Sequence, residues 1–220
     1  TQSKPSLSRD YSVNLIKSLT DEQRNAFEAE IQSYLDKSWW KKAPSSTKAQ
    51  SGFVYPPAVT FPVCQKAHKT TRVRPCSDQR SMNKVIPKGG YDGYSIQDLL
   101  ELIRCRWAPS SRMIFMDLSK AFYRCRLHSD HLITILSMGN IYISDRVLFG
   151  GTYGPAALNG CLLVLINAIL SGLTGQRVRA KNTNEFLDLV PGLHILVYYD
   201  DVCVFGDPSL VTQFVELARQ

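Results

Sequence analysis

The sequence predicts an α+β fold. Three observations carry that prediction. Apolar, β-prone runs flank Tyr198-Tyr199-Asp200-Asp201, capping-box signatures at Thr20 and Ser95 open helical patterns, and Met138-Gly139-Asn140 separates two further strand-like runs.

The elements follow in order. Residues 1–19 are polar and serine-rich without a period and read as an irregular lead-in. Thr20-Asp21-Glu22-Gln23 caps a helix from Asp21 to about Lys37, with Phe27, Ile31, Tyr34 and Leu35 on one face. Trp39 and Trp40 read as anchors for that helix, with base stacking as the alternative use. Residues 43–52 form a loop. Val59 to Cys64 is a strand whose Pro62 suits an edge, and Thr71 to Cys76 returns beside it. This two-stranded finger carries Lys66, Lys69, Arg72 and Arg74. On residue type alone these fit a solvated, aggregation-resistant edge better than a phosphate clamp.

Ser95-Ile96-Gln97-Asp98 caps a second helix, closed by Arg104 and Arg106, whose charges suit a carboxyl end. Arg112 to Asp117 reads as a buried strand. Leu132 to Leu136 and Ile141 to Leu148 form a hairpin, and Gly150, Gly151 and Gly154 form a flexible loop. Pro155 starts a helix through Asn159 to about Leu170. Gln176 to Lys181 reads as a short basic strand, in which Arg177, Arg179 and Lys181 suit a solvated face better than a template contact. Leu210 to Arg219 is a last helix.

Composition narrows the function classes. A chain of 220 residues can build one large domain or two small subdomains. The net charge of +7 suits a nucleic-acid partner and equally a basic surface without special use. Six cysteines include no C-x-x-C pair, and four histidines are scattered, so no zinc pattern arises. Reduced thiols in an intracellular protein are the expectation. The apolar stretch from Ala156 to Leu170 reads as too short to span a bilayer, so no membrane partner is expected.

The chemistry centres on the carboxylates. Asp200 and Asp201 are expected at the tip of a tight hairpin, where they repel each other unless a cation neutralises them. Magnesium fits, being a hard ion that takes oxygen ligands. If the Asp117 strand pairs beside the hairpin, Asp117 faces Asp200. Three such carboxylates suit two metal ions about 3.5–4 Å apart, a device for phosphoryl and nucleotidyl transfer. On spacing alone, Asp-Asp in a turn and Asp117 as a helix cap are the more ordinary roles.

Met116-Asp117-Leu118-Ser119-Lys120-Ala121-Phe122, then Phe149-Gly150-Gly151-Thr152-Tyr153-Gly154-Pro155, then Tyr198-Tyr199-Asp200-Asp201 stand in that order. Arg72-Val73-Arg74 and Asp78 to Lys84 precede them. This ordered set, over roughly residues 60–205, resembles the reverse transcriptases of retroelements, of the long-terminal-repeat type. Phe149-Gly150 with Gly154-Pro155 and Asn159 leans toward the BEL/Pao-like branch.

The resemblance implies a right-hand polymerase with an antiparallel palm sheet: fingers over residues 1–91, palm over 92–220, part of the fingers returning at about 131–165, and no thumb. It implies RNA-directed DNA polymerase activity with two Mg2+ ions, or Mn2+ in their place, held by Asp117, Asp200 and Asp201. Lys66 and Arg74 would meet the triphosphate, and Phe122 would test the sugar. Phe149, Gly150 and Asn159 would lie beside the nucleotide and templating base, and Tyr198 and Tyr199 near the primer end. Partners would be an RNA or DNA template with primer, deoxynucleoside triphosphates, and the rest of a retroelement polyprotein, including thumb and ribonuclease H. The starting threonine fits a piece of such a polyprotein. Two rivals stand beside it. One is a catalytically silent fragment that binds RNA or protein. The other is an RNA-dependent RNA polymerase, against which Phe122 and the Tyr-Tyr-Asp-Asp turn both speak.

Overall fold

A computed structural model describes residues 10–43, 56–65, 72–86, 90 and 93–220. In chain order the elements are α1 (Ser12–Lys17), α2 (Asp21–Asp36), β1 (Trp40–Lys42), β2 (Ala58–Cys64), β3 (Val73–Asp78), α3 (Ile96–Arg106), β4 (Arg112–Asp117), α4 (Ala121–Arg124), β5 (Ile133–Ser137), β6 (Asn140–Ser144), α5 (Gly154–Thr174), β7 (Leu193–Tyr198), β8 (Asp201–Gly206) and α6 (Pro208–Ala218). Helices and sheets together confirm a mixed α+β fold. The chain divides into two compact units, residues 1–88 with 122–154, and residues 89–121 with 155–220.

The first unit holds a five-stranded mixed sheet in the order β1-β6-β5-β2-β3. α2 is capped as its sequence predicts: Gln23 N–H donates to the Thr20 hydroxyl, and Thr20 N–H donates to the Gln23 side chain. Its face of Phe27, Ile31 and Tyr34 is buried with Trp39 and Trp40, so the tryptophans anchor the helix. Trp39 stacks flat on Tyr123, with centroids 5.2 Å apart. β5 and β6 join through Met138 and Gly139, both left-handed, a conformation that suits a two-residue hairpin turn.

Several expectations are corrected here. The lead-in is not wholly irregular, because Ser12–Lys17 is helical. It is held where Gly139 N–H donates to Asp10 and Met138 N–H donates to the Ser12 hydroxyl. β2 is not the edge, since it lies between β5 and β3. Only Ala58 and Val59 pair with β5, so Pro62 falls where β2 has one neighbour and its missing N–H costs nothing. The strand after Met138-Gly139 ends at Ser144 rather than Leu148. The predicted loop at 43–52 lies, from residue 44 on, outside the described residues.

The second unit holds a three-stranded antiparallel sheet in the order β4-β8-β7. Asp98 N–H donates to the Ser95 hydroxyl at the start of α3, which completes the predicted capping box. One face of the sheet buries Leu196, Cys203 and Phe205 with Leu99 of α3 and Leu187. β4 is not a buried strand. It is an edge, and its Phe115, on the same face as Cys203, is still 70% exposed.

α5 runs to Thr174, four residues beyond the expected end. With 21 residues and a mean hydropathy of 2.0 it is long and apolar enough to cross a membrane, which corrects the expectation that it is too short. Leu158, Leu162, Ile166 and Leu170 recur along it at intervals of four and are all buried. Residues 177–180 form no ladder strand, contrary to expectation, and Thr183–Leu187 is a short 3-10 turn.

Candidate active site

The carboxylates belong to the second unit. β7 and β8 join through Tyr199 and Asp200, with Tyr198 opposite Asp201. Asp200 therefore sits in the turn, while Asp201 is the first residue of β8 rather than at the tip. Tyr199 is left-handed, with φ 54°, a conformation costly for a bulky residue. Leu118 N–H donates to the Asp200 carbonyl, tying the turn to the end of β4.

The register corrects the predicted pairing. Asp117 faces Asp201, not Asp200. Directly opposed residues on adjacent strands share a face. Asp117, Asp201 and Tyr198 thus form one row across the three strands, with Asp200 beside it in the turn. The ring of Tyr198 meets that of Tyr199 edge to face, with centroids 4.9 Å apart. A groove of about 300 Å³ opens on the same face, lined by Ile96, Leu100, Phe115, Leu196, Tyr198 and Asp201.

The groove and the row explain the titration of Asp201. Partial desolvation, then the charges of Asp200 and Asp117, push its carboxyl above the ordinary value of 3.8. A raised folded-state pKa means that ionisation of Asp201 costs stability. The cost is absent below the unfolded value and complete above the folded one. Asp201→Asn is therefore expected to raise the melting temperature at neutral pH without divalent ions, by about 2 °C or less for so accessible a group. The gain should vanish below about pH 3.8. A thermal melt at both pH values checks it, and an unchanged or lower neutral melt would contradict it.

In donor type and charge the residues fit a hard divalent cation: three carboxylates, of which Asp117 and Asp200 both disfavour the Asp201 anion. Among the described residues, no group of three or more acidic, histidine or cysteine side chains stands as a ready cage. Asn159, also in this unit, accepts a 3.1 Å hydrogen bond from the Thr183 hydroxyl, so part of its hydrogen-bonding capacity serves the fold.

The remaining sequence-predicted residues belong to the first unit. Arg74 is exposed on the edge strand β3 and has no ion pair among the described residues, while Arg72 pairs with Glu22. Lys66 and Lys69 lie outside the described residues. Phe122 meets Phe149 edge to face at 5.5 Å, and a Cβ on Gly154 would press on the Phe122 ring at 3.2 Å. Glycine at 154 therefore lets the chain pass close to that ring. Gly150 has φ 103°, and any Cβ there would also meet the Ser77 carbonyl at 3.1 Å.

Gln79 and Asn83 stand in the polar turn that follows β3. The Gln79 amide, 2% exposed, donates to the Leu148 and Phe149 carbonyls. Asn83 donates to the Gly150 carbonyl and accepts from Thr152 N–H. These two amides pin the glycine loop. Their signal in the sequence was only two amide side chains in a polar turn.

No protein-family profile and no curated protein matches this chain. Solved structures do. The native prototype foamy virus protease-reverse transcriptase is similar with a TM-score of 0.60 and 16% identity over 90% of this chain. A foamy viral protease-reverse transcriptase in complex with double-stranded DNA reaches 0.61, with 17% identity over 90% of this chain. This chain spans only 22% and 29% of those chains. At these identities the likeness concerns the fold alone, and the fold of this chain is reverse-transcriptase-like.

Proposed function

We infer that the chain carries the chemistry of an RNA-directed DNA polymerase. The observation that carries this reading is the register that sets Asp117 opposite Asp201, with Asp200 in the adjoining turn, within a reverse-transcriptase-like fold. Asp117 and Asp200 would hold two Mg2+ ions, or Mn2+, with Asp201 tuning the pair. When bound, such ions supply charge neutralisation at the transferring phosphate and acidify the attacking hydroxyl. Tyr198 and Tyr199 would pack near the primer terminus. Arg74, with Lys66, would neutralise the triphosphate by charge-assisted hydrogen bonds. Phe149, Gly150 and Asn159 would shape the base and sugar surroundings.

The partners proposed are a template with its primer and deoxynucleoside triphosphates. A neighbour solved with double-stranded DNA supports a duplex. The second unit would be the palm and the first mostly fingers. Thumb and ribonuclease H would come from the rest of a retroelement polyprotein, of BEL/Pao-like type, in a cytoplasmic particle or the nucleus.

Phe122 would exclude the ribose 2′-hydroxyl by bulk. Phe122→Ala is expected to raise ribonucleotide use relative to deoxynucleotide use by about a hundredfold, the scale on which pocket contacts discriminate close analogues. The test is single-nucleotide addition to a DNA primer on an RNA template. Wild type should add the complementary deoxynucleotide alone. Addition regardless of template would sink the polymerase reading, and an unchanged sugar preference in Phe122→Ala would sink the role of Phe122. No addition with template binding retained would favour the silent binding fragment.

A further inference from the structure

The structure gives the basic segment 177–181 an architecture that the proposed chemistry does not use. The segment returns along α5 and is laced to one face of it. Val178 N–H donates to the Ser171 hydroxyl at 2.9 Å. Asn167 grips the backbone of Ala180 twice, accepting from its N–H at 2.8 Å and donating to its carbonyl at 3.1 Å. Farther along, Thr183 donates to Asn159. Ser171 and Asn167 are four residues apart on the helix, a rise of about 6 Å. Val178 and Ala180 are two apart, about 6.6 Å if extended. The pinning points match, so the segment is held extended up to a bend at Lys181 and Asn182.

Extension fixes the side chains. Val178 and Ala180 turn toward the helix, Ala180 being buried, and Arg177, Arg179 and Lys181 are exposed. Three cations thus stand in a row at alternate residues, about 13 Å from first to last. Among the described residues none of them forms an ion pair. The nearby acids are already engaged. Glu185 accepts from Lys181 N–H and from the Asn182 amide, and Asp188 is held by the fork of Arg106.

The geometry points to a phosphate rail: Arg177, Arg179 and Lys181 bind consecutive phosphates of a nucleic-acid strand, as a backbone contact separate from the catalytic carboxylates. A regular line of cations suits a polymer with one charge per repeat. Two of the three are arginines, whose planar forks match phosphate oxygens in pairs. Contacts of this kind set affinity and salt dependence and carry no sequence information. The identity of the strand as template or primer rests on the polymerase reading, whereas the rail itself does not.

The test is binding of a fluorescent DNA primer on an RNA template, without nucleotide or divalent ion, followed by anisotropy across a salt series. The triple variant Arg177→Gln, Arg179→Gln, Lys181→Gln is compared with wild type. A second triple, Lys17→Gln, Lys41→Gln, Lys42→Gln, removes the same charge from exposed lysines elsewhere. The rail variant should bind about tenfold or more weakly, with a salt slope shallower by about one per residue removed. The control should change the slope by much less. Equal changes in both triples, an unaltered slope in the rail variant, or no binding by wild type would each overturn the proposal. Displacement by polyglutamate as effective as that by nucleic acid at equal charge would overturn it in favour of an acidic protein partner. Binding is read without catalysis, so a chain that fails to extend primers but shows the rail effect would refute the polymerase reading and leave the rail standing.

Discussion

Replacing Asp200 by asparagine is expected to lower nucleotide addition about a thousandfold or more, with primer–template binding changed by no more than a few-fold. The substitution keeps shape and removes the charge proposed to hold a cation. Metal-borne charge stabilisation is worth several kcal/mol in phosphoryl transfer, and each 1.4 kcal/mol or so is tenfold in rate. Binding should survive because the backbone contacts carry most of the affinity. The turn should survive as well, since it is the carbonyl of Asp200 that accepts from Leu118 N–H, not its carboxylate. Asp117→Asn should match the loss. Asp201→Asn should cost less, because its carboxyl is the one already disfavoured as an anion. Single-turnover rates beside anisotropy check the set. A variant at Asp200 that adds nucleotides within tenfold of wild type would remove that carboxylate from the chemistry.

Phe205→Ala should be the most damaging of the core changes in the second unit, at about 3–5 kcal/mol. Phe205 is fully buried on β8, the middle strand of the three-stranded sheet, among Leu99, Leu187, Leu196 and Cys203. Its ring lies 5.0 Å from that of His194. Domains of this kind are stable by about 5–15 kcal/mol, so much of the margin would go. At about 2–4 °C per kcal/mol the melting temperature should fall by roughly 10 °C. Leu100→Ala, at a side chain 63% exposed, should move it by about 2 °C or less. A Phe205→Ala melt within 2 °C or so of wild type would contradict the packing described.

Local signals were read well where one interaction decides the outcome. Thr20 and Ser95 cap their helices because each hydroxyl meets a free N–H three residues on, a short-range relation that spacing reveals. The hairpin at Tyr198–Asp201 was equally visible from two β-prone runs with a polar insert. Register was less legible. Whether Asp117 opposes Asp200 or Asp201 depends on a single-residue shift between strands far apart in sequence, and that is set by which residues of β4 must turn inward. The basic segment misled for a related reason. Its alternation of Arg and small apolar residues resembles a strand, yet its inward partners are side chains of α5 and not another strand. The pinning of the glycine loop by Gln79 and Asn83 depends on contacts across about 70 residues, beyond the reach of local pattern.

The most direct measurement is extension of a DNA primer on an RNA template by the unaltered protein, with four deoxynucleoside triphosphates, before and after chelation of divalent ions. Templated extension in magnesium, silence after chelation, and recovery when magnesium returns are expected. No extension in magnesium, from protein that is folded and holds the primer–template, would contradict the assignment of Asp117, Asp200 and Asp201 to nucleotidyl transfer.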